Sequence, residues 1–124
     1  MIYKIDKNNF WQYKKIRLEA LLKFPDAFLS TYQEELKFSD QDWIEKIEKD
    51  FYFGYFINDE IISCVGLSLE KKAKIIHVAN LFGMFVKTEF QGKNIAFELL
   101  NHVKKLPKIM ALFIFIWVVM LIII

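Results

Sequence analysis

The chain has 124 residues, which is enough for one domain with a modest core and too few for two. Its formal net charge of +2, without a basic stripe interleaved with aromatic residues, argues against a nucleic-acid partner. One cysteine excludes a disulfide framework, and no residue cluster has the spacing of a metal site. The first residues lack the pattern of a secretory signal, so we expect a cytoplasmic protein.

The beginning of the sequence predicts a short strand and a helix. Residues 2–5 alternate as in a strand. Asn8 or Asn9 can cap the helix that follows, which ends before Pro25. Its apolar positions recur at helical spacing and are Tyr13, Ile16, Ala20 and Phe24.

The middle of the chain predicts a second helix and three strands. Ser39 and Asp42 have the spacing of a capping box at the start of the helix. The ranges 51–57 and 61–69 then read as a hairpin, and 75–86 reads as a long fourth strand of the sheet.

Residues 81–100 combine the end of that strand, a tight turn and another helix. From Ile95 onward the apolar period changes to that of a helix. A strand that turns directly into a helix directs unpaired backbone N–H groups at whatever lies above the strand's end. Gly92 leaves room for a bulky anion, and Lys93 adds positive charge. The turn therefore predicts a pyrophosphate site, the alternative being an ordinary connection without a ligand.

This turn resembles motif A of the GNAT (GCN5-related) N-acetyltransferases, whose pattern is Gln/Arg-x-x-Gly-x-Gly/Ala. Gln91 and Ala96 occupy their motif positions, whereas Asn94 stands where Gly is usual. Asn tolerates positive φ better than most residues. The resemblance implies acetyl-CoA as the cosubstrate, with its pyrophosphate on the backbone amides of the turn, which are those of Gln91, Gly92, Lys93, Asn94, Ile95 and Ala96.

The strand before the turn carries the other implied contacts of the coenzyme. By resemblance, Met84, Phe85 and Val86 hold the pantetheine arm through backbone hydrogen bonds. A backbone N–H of Met84 or Val86 would also stabilise the oxyanion that forms on the thioester.

The resemblance covers about residues 1–105 and implies an α/β (α+β) fold. The sheet would be mixed and mostly antiparallel, flanked by helices, in the order β-α-α-β-β-β-α-β and lacking the family's last helix and hairpin. Residues 1–108 would form the N-terminal and central part of the acyltransferase domain. The absent elements usually supply a Tyr that acts as general acid and half of the acceptor pocket.

The C-terminal segment 109–124 is wholly apolar, and every charged residue precedes it. Three interpretations stay open. Residues 111–119 read as a fifth strand buried on both faces. As a helix the segment would rise about 24 Å, short of the ~30 Å hydrocarbon core, which disfavours a membrane anchor. A change of reading frame near Lys108 would make the chain a truncated copy of a longer enzyme.

The predicted function is acetyl transfer from acetyl-CoA to a primary amine of a small molecule or protein. Deprotonation of the amine would fall to water, His77 or Glu35. His77 is otherwise a strand residue with a hydrogen bond, and Glu35 a solvated carboxylate. The alternative function is a catalytically inactive, CoA-binding remnant. The open edge of its last strand would permit a homodimer.

Overall fold

The computed structural model describes residues 1–69, 79–104 and 116–117. The strands are β1 (Ile2–Lys4), β2 (Phe51–Ile57), β3 (Glu60–Leu69), β4 (Ala79–Val86) and β5 (Ile116–Trp117). The helices are α1 (Phe10–Lys23), α2 (Tyr32–Leu36), α3 (Asp40–Lys49) and α4 (Ile95–Lys104), with short 3-10 turns at Pro25–Ala27 and Thr88–Phe90.

The strands form one sheet in the order β1-β2-β3-β4-β5. Neighbouring strands from β1 to β4 are antiparallel, and β5 pairs with β4 in parallel. The predicted fold class, a mixed and mostly antiparallel sheet flanked by helices, is therefore confirmed.

Helix α1 has the predicted extent and buries Tyr13, Ile16 and Ala20. Asn9 occupies its N-cap position without capping it through the side chain. Its Oδ1 instead accepts a hydrogen bond from the Asp6 N–H at 2.8 Å. The predicted side-chain cap is thus wrong, because the amide oxygen closes the preceding turn instead.

The capping box at the start of α3 is confirmed. The Ser39 hydroxyl accepts from the Asp42 N–H at 3.1 Å, and the Asp42 carboxylate accepts from the Ser39 N–H at 2.9 Å. The single-turn helix α2 was not predicted, although Thr31 caps it by accepting from the Glu34 N–H at 3.1 Å. Five residues are too few to show a helical period in the sequence.

Helices cover both faces of the sheet. Tyr52 of β2 packs against Tyr13 of α1, with ring centroids 4.9 Å apart. Tyr55 points to the opposite face and donates a hydrogen bond to Glu98 of α4 at 2.6 Å. Strand β3 lies between the helices and is buried on both faces, as at Ile62, which is 1% exposed.

The last strand comes from the apolar C-terminal segment. Ile116 and Trp117 pair with Ala79 and Asn80 of β4, so the fifth-strand interpretation holds at those two positions. The remainder of the segment and residues 75–78 of the predicted fourth strand lie outside the described residues. The frame change and the division at residue 108 stay predictions. Among the helices that are described, none has the length and apolar character to cross a membrane.

Candidate active site

A bulge in β4 marks the centre of the candidate site. Gly66 of β3 pairs with Phe82, but Cys64 pairs with Phe85, so one extra residue of β4 is fitted between these pairs. Gly83 lies within the bulge at φ +62°, a conformation that strongly favours glycine. A bulge bends its strand and redirects the side chains and backbone groups beside it.

Beyond the bulge, the backbone of β4 presents polar groups to the side away from β3. The Lys87 N–H donates to the Ile62 carbonyl of β3 at 2.9 Å. Because backbone groups alternate along a strand, those of Val86 point the other way. Gln91 confirms this direction, since its Nε2 reaches the Val86 carbonyl at 3.0 Å from that side.

The turn between β4 and α4 is open, as the predicted pyrophosphate site would require. Helix α4 begins at Ile95, and its first backbone bond runs from the Glu98 N–H to the Asn94 carbonyl at 3.0 Å. The amides just before Glu98 therefore have no partner within the helix. Gly92 has φ +78°. Apart from its chain neighbours, no atom of the described residues lies within 4 Å of the point that a Cβ on Gly92 would occupy, so space lies above it.

Asn94 adopts φ +63°, so it takes the left-handed conformation that the motif's usual glycine would supply. A small cavity of 110 Å³ is lined by Val86, Phe90, Gln91, Gly92, Asn94, Ile95 and Ala96. Lys93 lies outside it on the exposed surface, with its Nζ 5.7 Å from the Phe90 ring centroid. The Gln91 N–H of the predicted set is engaged, since it donates to the Thr88 carbonyl at 3.3 Å. The other amides of the turn have no partner in the described ranges, and the turn offers them to a bulky anion together with room and a nearby cation.

A larger cleft opens on the other side of the bulge. Its volume is about 740 Å³, and it lies between the segment after α1, helix α3 and β4. Phe28, Phe38 and Phe82 give it apolar walls, and Gly83 places the β4 bulge at its boundary. The cleft and the amide turn therefore meet the same strand within a few residues of one another.

Three charged side chains form an ion-pair triad at the cleft. Arg17 donates from Nε and Nη2 to the two carboxylate oxygens of Glu35, each at 3.0 Å. Lys46 donates to Glu35 at 3.3 Å. Glu35 is 1% exposed and Arg17 is 8% exposed, so the pair is held away from bulk water. A bidentate pair of this kind fixes the guanidinium plane as well as its charge.

The protonation states of the triad follow from this geometry. Burial acts to raise the pKa of Glu35, but the hydrogen bonds and charge of Arg17 and the charge of Lys46 bring it below its ordinary value. Burial and the charge of Arg17 lower the pKa of Lys46. Glu35 is therefore an anion near neutral pH, and its carboxylate is ion-paired with both Arg17 and Lys46.

Two of the three predicted catalytic residues, Met84 and Glu35, lie at the candidate site, and the third, His77, is not among the described residues. Met84, Phe85 and Val86 are buried in β4 beside the bulge. Glu35 borders the cleft through the triad. His77 lies outside the described residues, so its role stays a prediction.

Sequence reasoning missed Arg17 and the bulge. Arg17 follows Ile16 on the apolar stripe of α1, and a charge on such a stripe signals a buried partner. Gly83 stands alone inside a strand pattern, which is a signal for a bulge. Within the described ranges no group of His, Cys, Asp and Glu side chains could hold a metal ion.

Comparisons with solved structures agree with this arrangement. A GNAT-family acetyltransferase from Streptococcus pneumoniae aligns at 12% identity and a TM-score of 0.66, over 82% of this chain and 63% of that one. The chain thus spans less than two thirds of the length of that relative.

Two further structures share the fold. An aminoglycoside acetyltransferase from an uncultured soil metagenomic sample aligns at 15% identity and a TM-score of 0.73, over 94% of this chain and 78% of that one. The PaiA N-acetyltransferase from Thermoplasma acidophilum, solved in complex with coenzyme A, aligns at 18% identity and a TM-score of 0.64, over 85% of this chain and 69% of that one.

A search of curated proteins found no significant match. The sequence profile of the Acetyltransferase (GNAT) family matches residues 15–118, which include the bulged strand and the amide turn. The chain therefore belongs to the GNAT acetyltransferase family, whose cosubstrate is acetyl-CoA.

Proposed function

We propose that this chain transfers the acetyl group of acetyl-CoA to a primary amine. One observation carries the proposal: strand β4 meets the amide turn at its C-terminal end and an acceptor-sized cleft at its central bulge. Because both substrates would lie along a single strand, the amine and the thioester can be held close together for direct attack.

The turn after β4 would hold the diphosphate of the coenzyme. The amides of residues 94–97, which have no partner within α4, and the partial positive charge of the helix N-terminus favour an anion there. Lys93 adds a full charge, and Gly92 leaves space above the backbone. The Val86 N–H faces the same side and would bind the pantetheine arm, as would the neighbouring backbone of Met84 and Phe85.

The reaction is a direct transfer without a covalent enzyme intermediate. The acceptor ammonium first loses a proton to water, and its nitrogen lone pair attacks the thioester carbonyl carbon. A C–N bond forms, and a backbone N–H of Met84 or Val86 stabilises the oxyanion. The C–S bond then breaks, the nitrogen loses its second proton, and the departing thiolate takes up a proton to give the CoA thiol.

Deprotonation by Glu35 or His77 stays a prediction. The pKa of Glu35 is lowered by Arg17 and Lys46, against the effect of burial, and this makes the carboxylate a weak base. We therefore assign the first proton transfer to water and give Glu35 the task of holding Arg17 at the cleft.

Calorimetric titration with CoA, together with an assay of thiol release from acetyl-CoA and a panel of primary amines, tests the proposal. Lys93→Glu should weaken CoA binding about tenfold, because it reverses a charge beside the diphosphate, and the effect should shrink as salt increases. Lys37→Glu makes the same change on an exposed lysine outside both cavities and should leave the affinity unaltered.

Equal CoA affinity in the wild type and the Lys93→Glu variant would show that the diphosphate site is misplaced. CoA binding without thiol release for any amine would identify the chain as the inactive, CoA-binding remnant. The predicted homodimer and the cytoplasmic location stay predictions; gel filtration tests the first.

A further inference from the structure

Arg17 lines the cleft, and one of its guanidinium nitrogens has no partner among the described residues. Nε and Nη2 are engaged by Glu35, whereas Nη1 makes no hydrogen bond to any residue in the described parts of the chain. Nη1 lies 3.3 Å from the position that a Cβ would take on Gly83, so it sits directly against the β4 bulge. Its N–H groups are donors that an anion in the cleft could use.

The charges of the triad favour an anion at this point. Arg17 and Lys46 bring two cations to the single carboxylate of Glu35, so the triad carries a net positive charge. The other acidic side chains that border the cleft are Asp42 and Glu45 of α3, and the Asp42 carboxylate already accepts a hydrogen bond from the Ser39 N–H. Phe28 packs on the guanidinium, with its ring centroid 4.7 Å from Cζ, and keeps its plane in place.

The short distance between Arg17 Nη1 and strand β4 limits which acceptors could carry the bound anion. Nη1 lies against Gly83, which directly precedes the residues proposed to hold the thioester. Adjacent Cα atoms are about 3.8 Å apart, so a bound anion would lie only a few bonds from the attacked carbonyl. An acceptor whose amine attacks there must carry its negative group close to that amine.

We propose that the acceptor is a small amine with a carboxylate beside the amino group, as in an α-amino acid, and that Arg17 binds this carboxylate. The inference rests on the proposed function. The apolar walls formed by Phe28, Phe38 and Phe82 would receive an apolar side chain of the acceptor. Arg17 is then a specificity-determining residue, and Glu35 is the positioning residue that orients it.

Matched acceptors that differ in the carboxylate alone test this inference. L-Phenylalanine is compared with phenethylamine, and L-leucine with isoamylamine. For each acceptor kcat/KM is measured from thiol release and corrected for the fraction of the amine that is neutral. A charge-assisted hydrogen bond from Nη1 predicts that kcat/KM is about 10- to 100-fold higher for the amino acid of each pair. The result is expressed as the ratio of kcat/KM for the amino acid to kcat/KM for its matched amine. A loss of folded protein lowers both values equally and leaves this ratio unchanged.

Variants connect the preference to Arg17. Arg17→Gln should reduce the ratio at least tenfold while phenethylamine is still acetylated. The double variant Arg17→Gln/Glu35→Gln should do the same. It avoids leaving the buried Glu35 carboxylate with Lys46 as its one charged partner, if the single variant folds poorly. Lys37→Gln removes one exposed positive charge outside the cleft and should keep the wild-type ratio.

The outcomes separate this inference from the function on which it rests. Equal kcat/KM for both members of each pair, or an unchanged ratio in the folded Arg17 variants, would overturn the carboxylate assignment and leave acetyl transfer intact. A preference for the amines without a carboxylate would overturn it as well. Absence of thiol release with every amine would overturn the proposed function and this inference with it.

Discussion

The exchange of Glu35 for Gln is the most direct perturbation of the cleft. The substitution keeps the size of the side chain and removes the charge that holds Arg17 and Lys46. Because the carboxylate is 1% exposed and its bonds to Arg17 are both 3.0 Å, water cannot easily replace the lost interaction. Two cations would be left facing each other without their shared anion.

The expected loss of stability can be worked out from this geometry. Removing one member of a buried ion pair costs about 3–5 kcal/mol, and we take ~3 kcal/mol because Arg17 borders the cleft and keeps some access to water. An unfolding entropy of about 2.1 cal/mol/K per residue gives roughly 0.26 kcal/mol/K for a chain of this length. The melting temperature should therefore fall by about 11 °C.

Differential scanning calorimetry at pH 7 measures this change, and Glu34→Gln is its matched control. Glu34 is the preceding residue, is exposed, and accepts one hydrogen bond from the Thr31 hydroxyl at 3.0 Å. Its substitution should cost no more than about 0.5 kcal/mol, or ~2 °C. If Glu35→Gln melted as close to the wild type as Glu34→Gln does, the triad would not be a stabilising unit.

Two further predictions concern pH and the glycines of the site. Burial, Arg17 and Lys46 together lower the pKa of Glu35. The contribution of the Glu35 carboxylate to folding stability should therefore be complete above its unfolded pKa of about 4.3 and be lost as pH falls through the folded pKa. A melting-temperature difference between the wild type and Glu35→Gln that stayed constant down to about pH 3 would contradict this. Gly92→Ala should lower the free energy of unfolding in urea by about 1 kcal/mol, because alanine is strained at φ +78°. Gly83→Ala should cost more, since its Cβ would also meet Arg17 Nη1 at 3.3 Å. The reverse order of the two costs would refute the bulge geometry.

Most of the secondary structure could be predicted from the sequence because its causes lie within a few residues. The Ser39–Asp42 capping box, the positive φ of Asn94 and the start of α4 at Ile95 each depend on side chains adjacent in the chain. The helical stripe of α4 buries Leu99 and Val103 completely, as its period predicts. The turn that we propose to hold the diphosphate is such a local feature, and that is why its motif could identify the family.

The cleft that we propose for the acceptor depends on contacts between residues far apart in the sequence, which no local pattern reveals. Arg17 and Glu35 are eighteen positions apart, and only the packing of α2 against α1 brings them together. The bulge at Gly83 appears as a lone glycine in the sequence, but its register is set by pairing with β3. The tertiary structure therefore decides which charges face the cleft and which nitrogen of Arg17 lacks a partner among the described residues. The physical reason is that side chains distant in sequence must be packed together before their charges can pair.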